Sequence, residues 1–312
     1  MSTWTLKNMP SQKGRTVLIT GTSGIGLQTT ITLAGAGADV TLAGRNEARG
    51  AEAVAAVRAA APSAAVSFEL VDLADLASIR ALGTRLREQR TSLDVLINNA
   101  GIMAPPRRSE TVDGFELQFG TNYLGPFALT RELIPLLRHG NDPRVVTVAS
   151  LSANTGKINL DDLQSKQGYK AVPVYDQSKL ADLMFAFELQ RRSDAAGWGI
   201  TSIAAHPGLS RTELVAKSAG ASSMLGRVTT VVKLLLGQPA SQGALPSLFA
   251  ATSPEAQGGH YYGPNGFREF KGTPAESRVP DRARNTTVAA QLWESSQKLT
   301  VGAPATATWA TR

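Results

Sequence analysis

The segment R-T-V-L-I-T-G-T-S-G-I-G, residues 15–26, places an apolar run directly before a glycine-rich turn. Residues 15–20 predict a buried strand, and residues from about 24 to 36 predict a helix that stops at Gly37. Glycines let a backbone approach a phosphate closely, and the start of a helix offers free N–H groups and a positive dipole end. The segment therefore predicts a strand, a phosphate-binding turn and a helix. The alternative is a glycine-rich turn without a ligand.

Outward from this segment, short apolar runs alternate with longer helical stretches. Further strands are predicted at 39–43, 65–71, 93–97, 144–149, 200–205 and 258–263, and further helices at 46–60, 75–89, 112–138, 174–193 and about 242–251. This alternation predicts an α/β fold: a single doubly wound Rossmann-type domain over residues 1–312, with a mostly parallel seven-stranded sheet and helices on both faces. The apolar stretch at about 209–238 predicts a substrate lid or, alternatively, a packed pair of helices, and a polar tail follows the last strand.

Composition narrows the classes of function. The chain has no cysteine, which excludes disulfides and zinc–sulfur sites, and its three scattered histidines predict no metal site. The net charge is +7, but the arginines are spread along the chain, so we expect no nucleic-acid binding, and the excess suits an anionic cofactor. Neither a signal peptide nor an apolar run of about 18 residues is visible, which predicts a cytoplasmic protein without a membrane span.

Residues that follow the strands are the candidate ligands of a cofactor, because parallel α/β sheets bind ligands at the carboxyl ends of their strands. After the second strand the chain offers Arg45 and no nearby acid, which favours the 2′-phosphate of NADP over the ribose of NAD; the alternative is an exposed arginine at a helix start. Asp72 follows the third strand and suits an adenine edge or, equally, a helix cap. The predicted nucleotide contacts are Gly21, Thr22, Ser23, Gly24, Ile25, Gly26, Arg45, Asp72, Leu73, Asn99, Ala100 and Gly101.

Tyr175 and Lys179 are four residues apart on a predicted helix, so the phenol and the ammonium share one face. A phenol titrates near pH 10, and a neighbouring cation lowers its pKa, so this pair, together with a positively charged cofactor ring, predicts a proton donor that works near neutral pH. Ser150 ends the fifth strand, where its hydroxyl can stabilise the charge that develops on a carbonyl oxygen, and Ser152 is a weaker rival.

Two other polar groups have structural interpretations. His206 before a Pro-Gly pair is predicted to be structural, and it is the first alternative proton donor if Tyr175 is not one. The adjacent Asp161 and Asp162 suggest a metal site or a carboxylate pair, but they lie in an irregular stretch, and we expect them to be solvated.

Together these motifs resemble the short-chain dehydrogenase/reductase family, and within it the retinol dehydrogenase-like group that includes the WW-domain oxidoreductases. The similarity runs from about Gly14 to Leu299. The motifs that carry it, in order, are Thr20–Gly26, Asn98–Gly101, Gly120-Thr121-Asn122, Ser150, Tyr175–Lys179, and Pro207-Gly208 with Thr212.

The resemblance implies a role for each matching residue. Tyr175 would be the general acid/base, Lys179 would bind the nicotinamide ribose and lower the pKa of Tyr175, and Ser150 would polarise the carbonyl. Asn122 would hold a water that links Lys179 to solvent. Asn99 and Gly101 would line the cofactor site, and Pro207, Gly208 and Thr212 would approach the nicotinamide. The family also often forms homo-oligomers.

One departure concerns the glycine turn, because the family's T-G-x-x-x-G-x-G reads T-G-T-S-G-I-G here, one residue short. A shorter turn must redirect at least one N–H group, and this predicts altered cofactor affinity. The sequence thus predicts an NADP-preferring enzyme that interconverts an alcohol and a carbonyl on an apolar small molecule, with NAD as the second choice. The alternatives are a non-catalytic nucleotide-binding sensor or scaffold and a reductase of carbon–carbon double bonds.

Overall fold

A computed structural model describes residues 4–210 and 237–301 of the chain. Within these residues the strands β1 to β8 are Thr16–Thr20, Asp39–Gly44, Val66–Leu70, Val95–Asn98, Arg144–Val148, Thr201–Ala205, Tyr261–Pro264 and Pro274–Glu276. The helices α1 to α9 are Gly24–Gly35, Glu47–Ala60, Leu76–Gln89, Leu117–Phe119, Gly125–Leu137, Ala171–Ala196, Ala240–Gly243, Leu245–Thr252 and Thr286–Thr300. A π-helical turn, Gly120–Leu124, joins α4 to α5.

The strands form one sheet in the order β3-β2-β1-β4-β5-β6-β7-β8. Neighbouring strands are parallel except for β7 and β8, where Tyr262 lies opposite Glu276. The strand order reverses between β1 and β4, and a crevice for a ligand opens at the carboxyl ends of strands at such a point. The predicted α/β fold is confirmed, with eight strands in the described residues instead of seven. The extra strand, Pro274–Glu276, is too short to show an alternating pattern in sequence.

Helices cover both faces of the sheet. One core cluster packs the sheet against α3, α5, α6 and α9, and the other packs it against α1, α2 and α8. Central strands such as β1 and β4 are buried on both faces, which explains why they are continuous apolar runs without alternation. The sequence pattern and the layered architecture therefore agree.

The predicted helix at 112–138 begins later and is interrupted. A turn closed by the Thr111 N–H to Phe115 O bond, with Gly114 at a φ of 81°, delays the helix to Leu117. Three residues later the π-turn inserts an extra residue, and the Gly125 N–H donates to the Gly120 carbonyl. Such turns are rare and frequently lie at functional sites.

The predicted polar tail is wrong, because residues 286–300 form α9. Leu292 and Trp293 on this helix are each only 1% exposed. The Trp293 ring centroid lies 4.9 Å from that of Phe127 on α5 and 5.8 Å from that of Phe185 on α6. The many Ser, Thr, Gln and Glu residues of this segment hide a narrow apolar stripe that a helix gathers on one face.

Only the two ends of the predicted lid at 209–238 belong to the described residues, and Thr212 lies outside them. Ser210 and Gln238 form a parallel bridge, and the Gln238 N–H donates to the Leu209 carbonyl at 2.8 Å. The Gln238 side chain also donates to the Pro207 carbonyl at 2.8 Å. The ends of this segment therefore meet just beyond the carboxyl end of β6.

Among residues 4–210 and 237–301, no helix has the length and apolar character needed to cross a bilayer.

Candidate active site at the carboxyl ends of the strands

The glycine turn between β1 and α1 is closed tightly against β4. Gly21 and Gly24 have φ values of 103° and 56°, which L-residues with side chains rarely adopt. A Cβ atom on Gly26 would lie 2.5 Å from the Gly21 carbonyl oxygen and 2.6 Å from the Asn99 amide nitrogen. The shortened turn therefore requires glycine at these positions. Helix α1 begins at Gly24, as predicted.

The start of α1 keeps its positive end open. Ser23 at the N-cap makes no capping hydrogen bond with its side chain, and the first turn contains no acidic residue. Thr22 lies beside the end of β2. A Cβ atom added to Gly44 would be 3.1 Å from the Thr22 methyl group. Free N–H groups and the helix dipole thus face the crevice between β1 and β4, where the phosphates of a dinucleotide fit.

Asn99 braces this turn from β4. Its side-chain amide donates to the Thr20 carbonyl at 2.7 Å, and the backbone N–H groups of Asn99 and Ala100 both donate to the Thr20 hydroxyl at 3.0 Å. The predicted contact residues after β1 and β4 therefore lie together. Asn99 supports the turn with its side chain, a role that sequence reasoning did not assign.

Arg45 and Asp72 lie at the ends of the outer strands β2 and β3. Arg45 is exposed directly after β2, and it forms no ion pair or hydrogen bond with the residues that the structure describes. Asp72 accepts from the Ala74 N–H at 2.9 Å, but the N-cap of α3 is Asp75. The helix-cap alternative for Asp72 is therefore wrong. The Leu73 side chain is buried in the core.

Tyr175 and Lys179 lie on α6 and are both buried. The Lys179 Nζ is 6.0 Å from the centroid of the Tyr175 ring. It donates to the Val148 carbonyl at 3.0 Å and to the carboxylate of Asp182 at 2.8 Å. The predicted pair is therefore present, but the ammonium is held by two acceptors that the sequence analysis did not consider.

Burial has the largest effect on the pKa of each member of this group. It raises the pKa of Tyr175 above its usual value, and the opposing effects of Lys179 and the Ser150 hydroxyl do not overcome it. Burial would lower the pKa of Lys179, but Asp182 and Tyr175 together outweigh it and leave that pKa raised. Burial likewise raises the pKa of Asp182 to about 6 despite the attraction of Lys179. The tyrosine is therefore a protonated phenol at neutral pH in the absence of a bound cofactor.

Ser150 ends the strand region of β5 beside Tyr175. Its hydroxyl oxygen accepts from the Ser152 N–H at 3.2 Å, which caps a short 3₁₀ turn, Leu151–Asn154. Its carbonyl accepts from the buried Tyr261 hydroxyl at 3.1 Å. Of the two candidate serines, only Ser150 has its hydroxyl acting on the Tyr175 phenol. Tyr261 had no signal of its own in the sequence beyond its place in the strand predicted at 258–263.

Asn122 lies in the π-turn and holds the segment after β4. Its side chain accepts from the Ile102 N–H at 2.8 Å and donates to the Ile102 carbonyl and the Ser178 hydroxyl, both at 3.0 Å. A Cβ on Gly101 would lie 3.1 Å from the Asn122 side chain and 3.8 Å from Lys179 Nζ. The structure thus brings Gly101, Asn122 and Lys179 together, and the water that Asn122 would hold stays a prediction.

His206 is fully buried at the end of β6. Its Nε2 lies 2.9 Å from the Ser277 hydroxyl and 3.0 Å from a Glu269 carboxylate oxygen, and its Nδ1 accepts from the Gly208 N–H at 3.2 Å. Gly208 has a φ of 62° and no room for a side chain beside the Phe270 carbonyl. These contacts fix Pro207 and Gly208 at the carboxyl end of β6, which agrees with a structural histidine.

Asp162 is partly exposed and accepts from the Gln167 and Lys166 N–H groups, which lower its pKa. It therefore closes a turn, as expected for a solvated aspartate. Across residues 4–210 and 237–301, no group of three or more potential ligand side chains is arranged to hold a metal ion.

Asp182 is the residue of this site that sequence reasoning missed. It stands in the segment Y-D-Q-S-K-L-A-D-L, residues 175–183, three residues after Lys179. A Lys–Asp pair at that spacing usually forms an exposed pair on a helix surface. The signal that was available is the spacing of seven from Tyr175, which places all three side chains on one helix face.

The chain is similar to known proteins over most of its length. The family model described as short chain dehydrogenase matches residues 15–222. Polyprenol dehydrogenase of Mus musculus is 38% identical over 303 residues, covering 94% of this chain and 85% of the relative. Retinol dehydrogenase 12 of Homo sapiens is 38% identical over 289 residues, covering 92% of this chain and 86% of the relative. The predicted resemblance is confirmed.

Solved structures share the fold. An uncharacterised protein from Mycobacterium Paratuberculosis superimposes with a TM-score of 0.79 and 39% identity, covering 96% of this chain and 98% of that chain. RhlG of Pseudomonas aeruginosa, solved as an NADP active-site complex, superimposes with a TM-score of 0.63 and 24% identity, covering 80% of this chain and 94% of that chain.

Proposed function

The chain belongs to the short-chain dehydrogenase family, and from its site we propose an NADP-preferring oxidoreductase that interconverts an alcohol and a carbonyl on an apolar small molecule. Its relatives include dehydrogenases that are 35% to 38% identical over most of the chain. The chain is therefore an NAD(P)-dependent oxidoreductase. The choice of cofactor, the substrate class and the role of each residue are our proposal.

The observation that carries the proposal is one buried phenol on which two polar side chains act. Tyr175 is 7% exposed, with the Ser150 hydroxyl and the Lys179 ammonium acting on it. Gly101, in the predicted cofactor segment, borders Lys179 and Asn122. A buried proton donor beside a nucleotide crevice suits the transfer of a proton to an oxygen atom.

In the direction of reduction, the Tyr175 hydroxyl donates its proton to the carbonyl oxygen of the substrate as that oxygen gains negative charge. The Ser150 hydroxyl donates a hydrogen bond to the same oxygen and stabilises the charge. Lys179 supplies positive charge next to the phenolate that remains, and Asn122 orders the segment that borders Lys179. A bound nicotinamide would supply the hydride. In the direction of oxidation the tyrosinate accepts the proton of the alcohol.

Arg45 supports NADP as the cofactor. Its guanidinium is exposed at the end of β2 without a partner among the described residues, and a guanidinium binds a phosphate through paired hydrogen bonds. An acidic residue at this position would instead favour the ribose hydroxyl of NAD. A solved neighbour of the same fold was obtained with NADP, which agrees with this choice.

The apolar substrate is supported by two observations. The similar dehydrogenases are named for polyprenol and retinol, which are both long apolar alcohols. The sequence at 209–238 is rich in Leu and Val, and its two ends meet at the carboxyl end of β6 next to the site. An apolar segment at that place suits contact with an apolar chain.

The test is a titration with NADPH and NADH followed by a panel of aldehydes, ketones, alcohols and activated alkenes, with product analysis. We expect tighter binding of NADPH and reduction of an apolar aldehyde or ketone to its alcohol. Cofactor binding without turnover of any compound would favour a sensor or scaffold. Saturation of an alkene with the carbonyl left intact would favour a double-bond reductase, and tighter binding of NADH would contradict the role of Arg45.

A further inference from the structure

Three ionisable side chains follow one another along the buried face of α6. Tyr175, Lys179 and Asp182 are spaced by four and three residues, which places them on one helix face. Lys179 and Asp182 are 5% and 2% exposed, and their charged atoms are 2.8 Å apart. The ammonium of Lys179 therefore lies between the phenol and a carboxylate.

The ion pair is incompletely satisfied. One carboxylate oxygen of Asp182 accepts from Lys179, and the other is buried without a hydrogen-bond partner among the described residues. Desolvation of both ions offsets much of their attraction, and an apolar pair of similar volume is often as stable or more stable. Stability alone therefore gives little reason for a carboxylate at this position.

The other ionisable groups near Asp182 are neutral phenols. Tyr123 from the π-turn and Tyr261 from β7 both have raised pKa values, mainly because they are buried. Glu188 acts on Tyr123, and Glu269 acts on Tyr261.

Asp176 also acts on Tyr175, and its carboxylate accepts from the Thr155 hydroxyl at the surface. Within the helix face that carries the site, Lys179 and Asp182 are therefore the charges that face one another at neutral pH.

We propose that Asp182 is a positioning residue of the active site: its carboxylate holds the Lys179 ammonium in an internal ion pair and partly cancels the positive charge that reaches Tyr175. The inference rests on the proposed function and deepens it. With the charge of Lys179 partly cancelled, the Tyr175 phenol keeps its proton, and the site is set as a proton donor for carbonyl reduction. Alcohol oxidation, which needs the tyrosinate, then requires a higher pH.

The first test is Asp182→Asn, followed by titration of tyrosinate absorbance without cofactor or substrate. Subtraction of the same titration for the matching Tyr175→Phe proteins isolates Tyr175. We expect the midpoint of Tyr175 in Asp182→Asn to fall by about one pH unit, because the full charge of Lys179 then acts on the phenol. Asp182→Glu keeps a carboxylate and should restore the midpoint toward that of the wild type. An unchanged or raised midpoint in Asp182→Asn would overturn the proposal.

A double-mutant cycle separates this electrostatic role from a structural one and serves if Asp182→Asn folds poorly. Lys179→Met and Lys179→Met/Asp182→Asn both lack the cation. Because the charge of Asp182 also acts directly on Tyr175, Asp182→Asn should lower the Tyr175 midpoint in both backgrounds, and we expect the larger fall where Lys179 is present. The difference between the two shifts is the part that acts through Lys179. Equal shifts in the two backgrounds would show that Asp182 acts only by its own charge, and this would contradict the positioning role.

The same variants distinguish this inference from the proposed function. The pH at half-maximal kcat/KM for alcohol oxidation should fall in Asp182→Asn by the shift seen in absorbance. An absorbance shift in a protein that turns over no alcohol or carbonyl would leave the ion-pair role standing and remove the enzymatic assignment. Turnover with a pH profile that Asp182→Asn does not move would remove the ion-pair role and leave the enzyme.

Discussion

The two sides of the active site differ in how their polar groups are partnered. On the nucleotide side, formed by the β1–α1 turn and the end of β2, the start of α1 is uncapped by Ser23 and Arg45 is exposed. On the catalytic side, formed by α6 and the end of β5, Lys179 is buried and paired with Asp182. One side keeps its charge available for a ligand, while the other neutralises its charge internally. Binding and proton transfer therefore place opposite demands on neighbouring parts of one crevice.

The largest expected effect comes from the catalytic side. Tyr175→Phe removes the proton donor and should lower kcat by roughly 10²- to 10⁴-fold, the range for a general acid or base. Cofactor affinity should change little, because the nucleotide side is untouched. Steady-state kinetics and an NADPH titration measure the two effects. Tyr262→Phe is the matched control, since its hydroxyl accepts only from the Gln257 N–H on the other face of the sheet. Equal rates for the two variants would contradict the role of Tyr175.

A second change separates the two serines at the end of β5. Ser150→Ala should lower kcat by about 10²- to 10³-fold, as expected when one donor to a developing negative charge is lost. Ser152→Ala keeps the backbone N–H that Ser150 binds and should remain close to the wild type. The comparison is read from kcat at saturating substrate. A larger loss in Ser152→Ala would transfer the role to the rival serine.

On the nucleotide side, Gly26→Ala places a Cβ 2.5 Å from the Gly21 carbonyl. The turn must shift to relieve this contact, and we expect the Kd for NADPH to rise by about 100-fold, as a small misplacement of binding groups can produce. Gly35→Ala is the control at the far end of the same helix, where the new Cβ would meet only Ala61 at 3.9 Å. Fluorescence titration gives the Kd, and thermal unfolding confirms that both variants are folded. Equal affinities would show that the turn does not bind the phosphates.

The smallest effect is expected at Arg45. Arg45→Gln removes the cation proposed to bind the 2′-phosphate and should weaken NADPH binding by about 10-fold, the value of one charge-assisted hydrogen bond, while NADH binding is unchanged. Arg138→Gln is the control. It removes the same charge just after α5 and before β5, at the amino ends of the strands and away from the proposed site. An equal loss for both cofactors, or for both variants, would show a general charge effect instead of recognition.

The nucleotide side was the more predictable of the two. The groups proposed to bind the phosphates there belong to the backbone. Gly21, Gly24 and Gly26 show in the sequence where that backbone turns tightly. The proposed catalytic pair was also visible in the sequence, because Tyr175 and Lys179 lie on one helix and their spacing fixes their common face.

What sequence reasoning missed depends on packing between distant segments. The pairing of Lys179 with Asp182 has meaning only because α6 is buried at that point, and an ion pair at this spacing looks like an exposed one. Burial of the same helix raises the pKa of Tyr175, and the predicted lowering of that pKa, which depends on a positively charged cofactor ring as well as on Lys179, stays a prediction. The π-turn at Gly120–Leu124 has no periodic pattern in the sequence. The apolar stripe on α9 can be recognised only once its partners Phe127 and Phe185 are known.

The contact of Trp293 on α9 with Phe127 and Phe185 can form only late in the synthesis of the chain. Phe127 and Phe185 both emerge from the ribosome more than a hundred residues before Trp293, and the helix of Phe185 carries Tyr175 and Lys179. A nascent chain can pair β1 to β6 and form the nucleotide crevice while the outer surface of α5 and α6 still lacks its cover. Apolar surface exposed at that stage is prone to aggregation. The nucleotide crevice would thus form before α9 covers the apolar surface of α5 and α6. Docking of α9 ends the stage at which this surface can associate with other chains.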